Sequence, residues 1–173
     1  VETHLTVAKV EVPLARRITP ASLAKAADVN RVWPNKAIER GFVNADALDG
    51  EDVIVVRVFA MADQIVWPGE RRSRSAPRDV AIWQSVVIGA ARDALNDPAL
   101  GPDTLLWLMS NDVRITRTMA EALVVLTEIG GLCAVRIPIG AWVLELPEGF
   151  ELPAMPPAAN RFTTSQRAAS GTR

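Results

Sequence analysis

Val29-Asn-Arg-Val-Trp-Pro-Asn-Lys-Ala-Ile-Glu-Arg-Gly-Phe-Val43 is the stretch on which the fold turns. It has the make-up of the second helix of a helical hairpin, yet Pro34 stands near its start. In a helix interior that proline costs about 3 kcal/mol, whereas in the first turn its missing N–H would have no intrahelical acceptor anyway. The sequence therefore predicts a helix from residue 33 or 34 to Arg40, with Asn30 to Val32 as the turn before it. Upstream, Ile18-Thr-Pro-Ala-Ser-Leu-Ala-Lys-Ala-Ala-Asp-Val29 offers Thr19 as N-cap and Pro20 at the first helical position. Leu23, Ala24 and Ala27 then share one face of a helix of about two turns.

Downstream, Asn44-Ala-Asp-Ala-Leu-Asp-Gly50 is turn chemistry, and Asp49 can cap a helix running to about Ile65. Ile54, Val55, Val58, Phe59 and Ala62 give it a period near 3.6, although its valines leave a strand as the rival. Residues 3–12 are rich in β-branched side chains and predict a short strand ended by Pro13. Residues 67–78, rich in Pro, Gly, Ser and Arg, have the composition of a linker. Residues 79–96 return to a helical apolar stripe, closed by Asn96-Asp-Pro98. Thr104 to Asn111 predicts a buried strand, and Ile115 to Ile129 a helix capped by Thr116 and stopped by Gly130-Gly131. Cys133 to Gly140 and Ala141 to Pro147 predict two more strands, the whole forming a small layer with helices on one face. Beyond Pro147 the Pro-, Ala-, Ser- and Thr-rich sequence predicts a disordered tail.

With 173 residues, 49% of them hydrophobic, the chain can bury one sizeable core or two small ones. A single cysteine, Cys133, rules out an internal disulfide framework, and a single histidine, His4, leaves no Cys/His set for zinc. No metal and no cofactor is expected. The apolar runs are too short to span a bilayer and no basic-then-apolar leader precedes them, so a cytoplasmic protein without a membrane partner is expected. The net charge of −1 conceals an asymmetry: residues 1–78 hold 12 Lys/Arg against 10 Asp/Glu, and residues 79–173 hold 7 against 10. A basic module joined to an acidic one has this pattern, and so does an ordinary uneven surface.

Enzyme chemistry finds little to stand on. The sequence has no Gly-x-Ser-x-Gly elbow, no phosphate-binding glycine loop and no tyrosine. Asp103, Asp112, Glu121 and Glu128 are carboxylates that could be drawn as metal ligands, but capping and solvation of the surrounding elements account for them more simply. The chain is expected not to be an enzyme.

Ala24-Lys-Ala-Ala-Asp-Val29, followed by twelve residues to Gly41, resembles the winged helix-turn-helix of the MerR superfamily and its small phage excisionase-like relatives. Ile38-Glu-Arg-Gly-Phe42 is similar to the Glu-Arg-x-Gly-Leu ending of that family's second helix, one residue shorter. Leu48-Asp-Gly-Glu-Asp-Val53 resembles the segment leading from the wing into the next helix. Asp28 replaces the family's turn glycine, a substitution that asparagine-like side chains tolerate in left-handed backbone. The resemblance covers residues 18–66 and implies a double-stranded DNA partner.

On that basis Asn30, Arg31, Asn35, Lys36 and Arg40 are the candidate DNA-reading residues, since the N-terminal end of the second helix approaches base edges. Trp33 either wedges against the sugar-phosphate backbone or packs in the core, with packing favoured for so large an aromatic. Arg16 and Arg17, and Arg71, Arg72 and Arg74, are candidate phosphate contacts; the latter three equally suit a solvated linker.

The expected organisation is α+β. A winged helix-turn-helix with an N-terminal strand fills residues 1–66, followed by a basic linker at 67–78. A small α/β domain ordered helix-strand-helix-strand-strand occupies 79–147 and serves assembly, as a homodimer, or effector sensing; the tail is 148–173. The competing expectation is a protein-interaction or structural module of a phage or mobile element that does not touch DNA.

Overall fold

The computed structural model describes residues 18–68, 77–130 and 133–152. The strand expected over 3–12, Arg16, Arg17, Arg71, Arg72, Arg74 and the residues from 153 onward lie outside that range. Six helices and three strands are formed among the described residues: α1 Pro20–Ala26, α2 Val32–Glu39, α3 Gly50–Gln64, α4 Pro77–Leu95, β1 Leu105–Leu108, β2 Val113–Thr116, α5 Met119–Ile129, β3 Val135–Ile137 and α6 Ile139–Leu144. The class is α+β, with the strands in one antiparallel sheet of order β2-β1-β3.

The helix starts follow their caps. Thr19 and Ser22 form a reciprocal capping box on α1, with Pro20 at its first position. Asp49 and Asp52 do the same for α3. α3 is buried nearly all round, from Asp52 through Val56 and from Val58 through Ala60, because it is the central helix of the main core. That explains why its valines fit a strand as well as a helix: a helix enclosed on every side carries no amphipathic period. α1, α2 and α4 pack around it.

The segment at 67–78 separates α3 from α4 in sequence, but their apolar side chains lie in one cluster. Leu23, Val55 and Phe59 on one side of that segment, and Val87, Ala91, Leu106 and Ile137 on the other, belong to it. Trp67, at the start of the expected linker, is buried and meets Trp83 of α4 edge-on, ring centroids 6.1 Å apart.

Strand β1 is buried on both faces. Leu106 and Leu108 point into the main core, while Leu105, Trp107 and Met109 form a second cluster with Ala122, Val125 and Ile129 of α5. Helices therefore cover both faces of the sheet, not one. In the second cluster the indole N–H of Trp107 donates to Thr116 Oγ1 at 2.9 Å, so the ring is buried without an unsatisfied donor.

Two expected elements are corrected. Ile115 to Ile129 is not one helix: Val113-Arg-Ile-Thr116 is strand β2, and α5 starts at Met119 behind the cap of Thr118, not Thr116. The cause is a tight hairpin, in which Met109 donates to the Asp112 carbonyl at 2.9 Å and returns the β-branched residues along β1. Ala141 to Pro147 is not a strand but lies largely in α6. Gly140 donates to the Thr104 carbonyl at 2.9 Å and Trp142 to Pro138, which starts a helical turn directly after β3 and buries Ile139 and Trp142 on one face. The order in this half is thus helix-strand-strand-helix-strand-helix. Residues 148–152, expected in the tail, return to the protein, with Phe150 and Leu152 packed on the main core.

Candidate nucleic-acid interface

Ala27 caps the C-terminus of α1, and Asp28 adopts left-handed backbone, φ 53°. Asp28 N–H donates to Lys25 O at 3.3 Å and Val29 N–H to Ala24 O at 3.0 Å, which is a Schellman closure with aspartate in the usual glycine position. Asn30 then turns the chain into α2: its Oδ1 accepts the Val32 N–H at 3.0 Å, and its carbonyl accepts the Trp33 N–H. Pro34 is the third residue of α2, among the helix's initial unpaired donors, so its lack of an N–H removes no intrahelical bond. Gly41, φ 72°, closes α2 in the same left-handed way, with Phe42 N–H donating to Ala37 O at 2.9 Å.

This turn leaves α2 with a buried side, Pro34 and Ala37, and an outward side. Arg31 is the N-cap and is exposed, and Asn35, one turn on, is exposed beside it. Val32 and Lys36 form the adjacent row; Val32 is 45% exposed, which is unusual for a valine in a helix that otherwise packs well. Lys36 places its ammonium 4.6 Å from the Trp33 ring centroid. Asn30 is exposed, but its side chain is spent on the turn.

Trp33 is half-buried and meets Phe59 of α3 edge-on at 5.6 Å, so it packs against α3. Phe42 meets the same Phe59 at 5.2 Å. Arg40 is turned toward α3 and α4. Its guanidinium lies 5.6 Å from the Phe59 centroid and donates to Gln84 Oε1, while Gln84 Nε2 donates to Asp63 Oδ1 at 2.7 Å. Gln84 is completely buried, so this three-residue chain ties the end of α2 to α3 and α4. The structure thus puts exposed Arg31 and Asn35 and half-buried Lys36 on the outward side of α2 and gives Arg40 a partner inside the chain.

Sequence reasoning passed over Lys25, exposed in the last turn of α1, and Glu39, exposed on α2. The signal for Lys25 is its place in the last turn of α1, where a cation complements the helix dipole. Glu39 subtracts from the positive charge of the α2 side. Residues 40–49, between α2 and α3, hold turns and no strand, so the hairpin wing that the resemblance implies is not formed there.

The loop after α2 and the start of α3 are held together by Arg92 of α4. Its guanidinium donates to the Phe42 carbonyl at 2.7 Å and to Asp52 Oδ1 at 3.2 Å, and pairs with Glu51. Asp52 is buried, and that burial raises its carboxyl pKa above the ordinary range; the nearby Asp49 charge adds to the effect, while the Asp49 N–H and Arg92 oppose it. No helix among the described residues is long and apolar enough to cross a membrane. No family model, curated protein or solved structure matches the chain.

Proposed function

We propose that the chain is a sequence-specific double-stranded DNA-binding protein, a transcriptional regulator or a phage-type recombination accessory factor, that reads bases with the first turns of α2. The observation that carries the reading is the hairpin itself. A Schellman turn on Asp28 and an Asn30 turn present Arg31, Asn35 and Lys36 on the outward side of α2, behind which Trp33 and Phe42 hold the helix to α3. A helix with its side chains is about 10–12 Å across, which the major groove, about 12 Å wide, admits. Arginine and asparagine are the side chains that pair bidentately with guanine and adenine edges, and Lys36 and Lys25 suit phosphates.

The test is a gel shift of the full chain against DNA from upstream of its own gene over a salt series. Retention should fall steeply with salt, and Arg31→Ala combined with Lys36→Ala should weaken binding by roughly 10- to 100-fold at low salt without unfolding the protein. Unchanged affinity in the double variant would refute the reading. A second reading, a protein-interaction module without DNA binding, draws on the exposed apolar side of α5, and it predicts no salt-dependent DNA retention at all.

A further inference from the structure

Val32 opens α2 without capping it or entering the core. It is the first helical residue, 45% exposed, and the Arg31 N-cap before it makes no side-chain capping bond. A β-branched side chain at that place is stiff and buries little, so it adds nothing to the stability of the helix. One exposed valine would be ordinary by itself. Its neighbours give it meaning. At about 3.6 residues per turn, Val32, Asn35 and Glu39 form one exposed line facing away from buried Pro34 and Ala37, with Arg31 on one side of it and Lys36 on the other.

That line suits base edges better than phosphates. Its near end, Val32 and Asn35, carries no charge, and Glu39 at its far end repels phosphate, whereas both cations stand at the flanks. The Lys36 ammonium leans away from the line, over the Trp33 ring. Unlike Asn30, whose Oδ1 accepts the Val32 N–H at 3.0 Å, Asn35 makes no side-chain hydrogen bond among the described residues. Val32 and Asn35 are three residues apart, which sets their Cβ atoms about 5–6 Å from each other. In the major groove an A·T pair offers something to each: adenine N7 accepts and N6 donates to an amide, and thymine projects its C5 methyl, for which a valine is the apolar cover. A G·C pair has no methyl to cover.

We propose that Val32 is a specificity-determining residue, covering the C5 methyl of a thymine on the same base pair as the adenine that Asn35 reads, or on the next. The assignment rests on the DNA-binding reading and adds to it a base that no hydrogen-bonding side chain selects. Arg31 and Lys36 supply affinity from the two flanks, and the valine between them supplies discrimination.

The probe is the duplex that the full wild-type chain selects from a random-sequence library, remade with deoxyuridine in place of thymidine. That exchange deletes the methyl and leaves base pairing intact. Wild-type affinity should fall roughly fourfold for each methyl contacted. Val32→Ala should bind the thymidine duplex about as weakly as wild type binds the deoxyuridine duplex, and should lose nothing further on the exchange. Asn35→Ala should weaken binding yet keep the dependence on the methyl, which a general loss of the helix would not. Both side chains are exposed, so the far-ultraviolet circular dichroism of the variants should match the parent. Equal wild-type affinity for the two duplexes would overturn the inference and leave DNA binding standing. So would an equal loss in wild type and Val32→Ala, which would trace the effect to DNA shape. A selection that enriches no sequence would overturn the DNA-binding reading and the inference with it.

Discussion

The guanidinium of Arg92 donates to the backbone carbonyl of Phe42 at 2.7 Å, across fifty residues of sequence. One side chain from α4 thereby fixes the loop that follows α2, while its other contacts hold Asp52 and Glu51 at the start of α3. Removing it takes the cationic partner from buried Asp52, leaving that carboxylate only the Asp49 N–H, and takes the guanidinium donor from the Phe42 carbonyl. Breaking a fully buried pair costs 3–5 kcal/mol, and Arg92 is about one-third exposed, so Arg92→Ala should cost about 2 kcal/mol. Urea unfolding should show a lower midpoint with an unchanged slope. Arg92→Lys should recover only part of the loss, because an ammonium cannot reach both partners in a fork. An unchanged midpoint in Arg92→Ala would show that the contact contributes nothing.

Arg40 and Arg31 should separate by phenotype. Arg40 is bound up with Gln84 and Phe59, so Arg40→Ala should reduce stability by about 1–2 kcal/mol, by depriving buried Gln84 of its donor. Arg31→Ala should leave thermal stability within about 0.5 kcal/mol, since its side chain is exposed, and affect DNA retention. Equal melting temperatures for the two variants would contradict this division.

Asp52 and Asp97 should pull the pH dependence of stability in opposite directions. Burial, the largest cause, raises the folded pKa of Asp52 above 3.8, so the folded state holds its proton more tightly than the unfolded state. Its favourable contribution is therefore full below about pH 3.8 and is lost as pH rises through the raised value. Asp97 is the reverse. The Ala99 N–H and then Arg117 lower its pKa, so its contribution is present above 3.8 and is lost as pH falls through the lowered value. Melting curves of Asp52→Asn and Asp97→Asn against the parent, from pH 3 to 7, should diverge with opposite slopes.

Gly140 should not accept a side chain. A Cβ there would collide with the Gly101 carbonyl and crowd that of Pro102, both backbone groups held by the Thr104 turn. Gly140→Ala should destabilise by about 2–3 kcal/mol, read from the denaturation midpoint. At Asp28 the sign reverses: relief of left-handed strain favours glycine, and Asp28→Gly should gain about 0.5–1 kcal/mol after its larger unfolded-state entropy is deducted. Loss of stability there would mean that the aspartate side chain contributes to the turn.

The local chemistry of the hairpin was legible. Thr19 and Asp49 cap where expected, Pro34 falls in the first turn of α2, and Asp28 takes the left-handed position. What failed was decided by contacts far away in sequence. Ile115 and Thr116 joined a strand because β1 was there to pair with, and Trp142 entered a helix because Gly140 could press against the 101–104 turn. The partner of Arg40 lies forty-four residues on, in a helix whose polar Gln84 gave no sign of facing inward.

The shared core has a consequence for the chain as two pieces. Residues 18–68 leave the flanks of α3 bare without α4, and residues 77–152 leave Val87, Ala91 and Leu106 bare without α3. Each piece made alone would be insoluble or collapsed, whereas the two made together should find each other and assemble. A cut in the peptide between Pro68 and Pro77 would then leave the protein standing as a split pair, its halves bound by α3, α4 and the edge-to-face contact of Trp67 with Trp83.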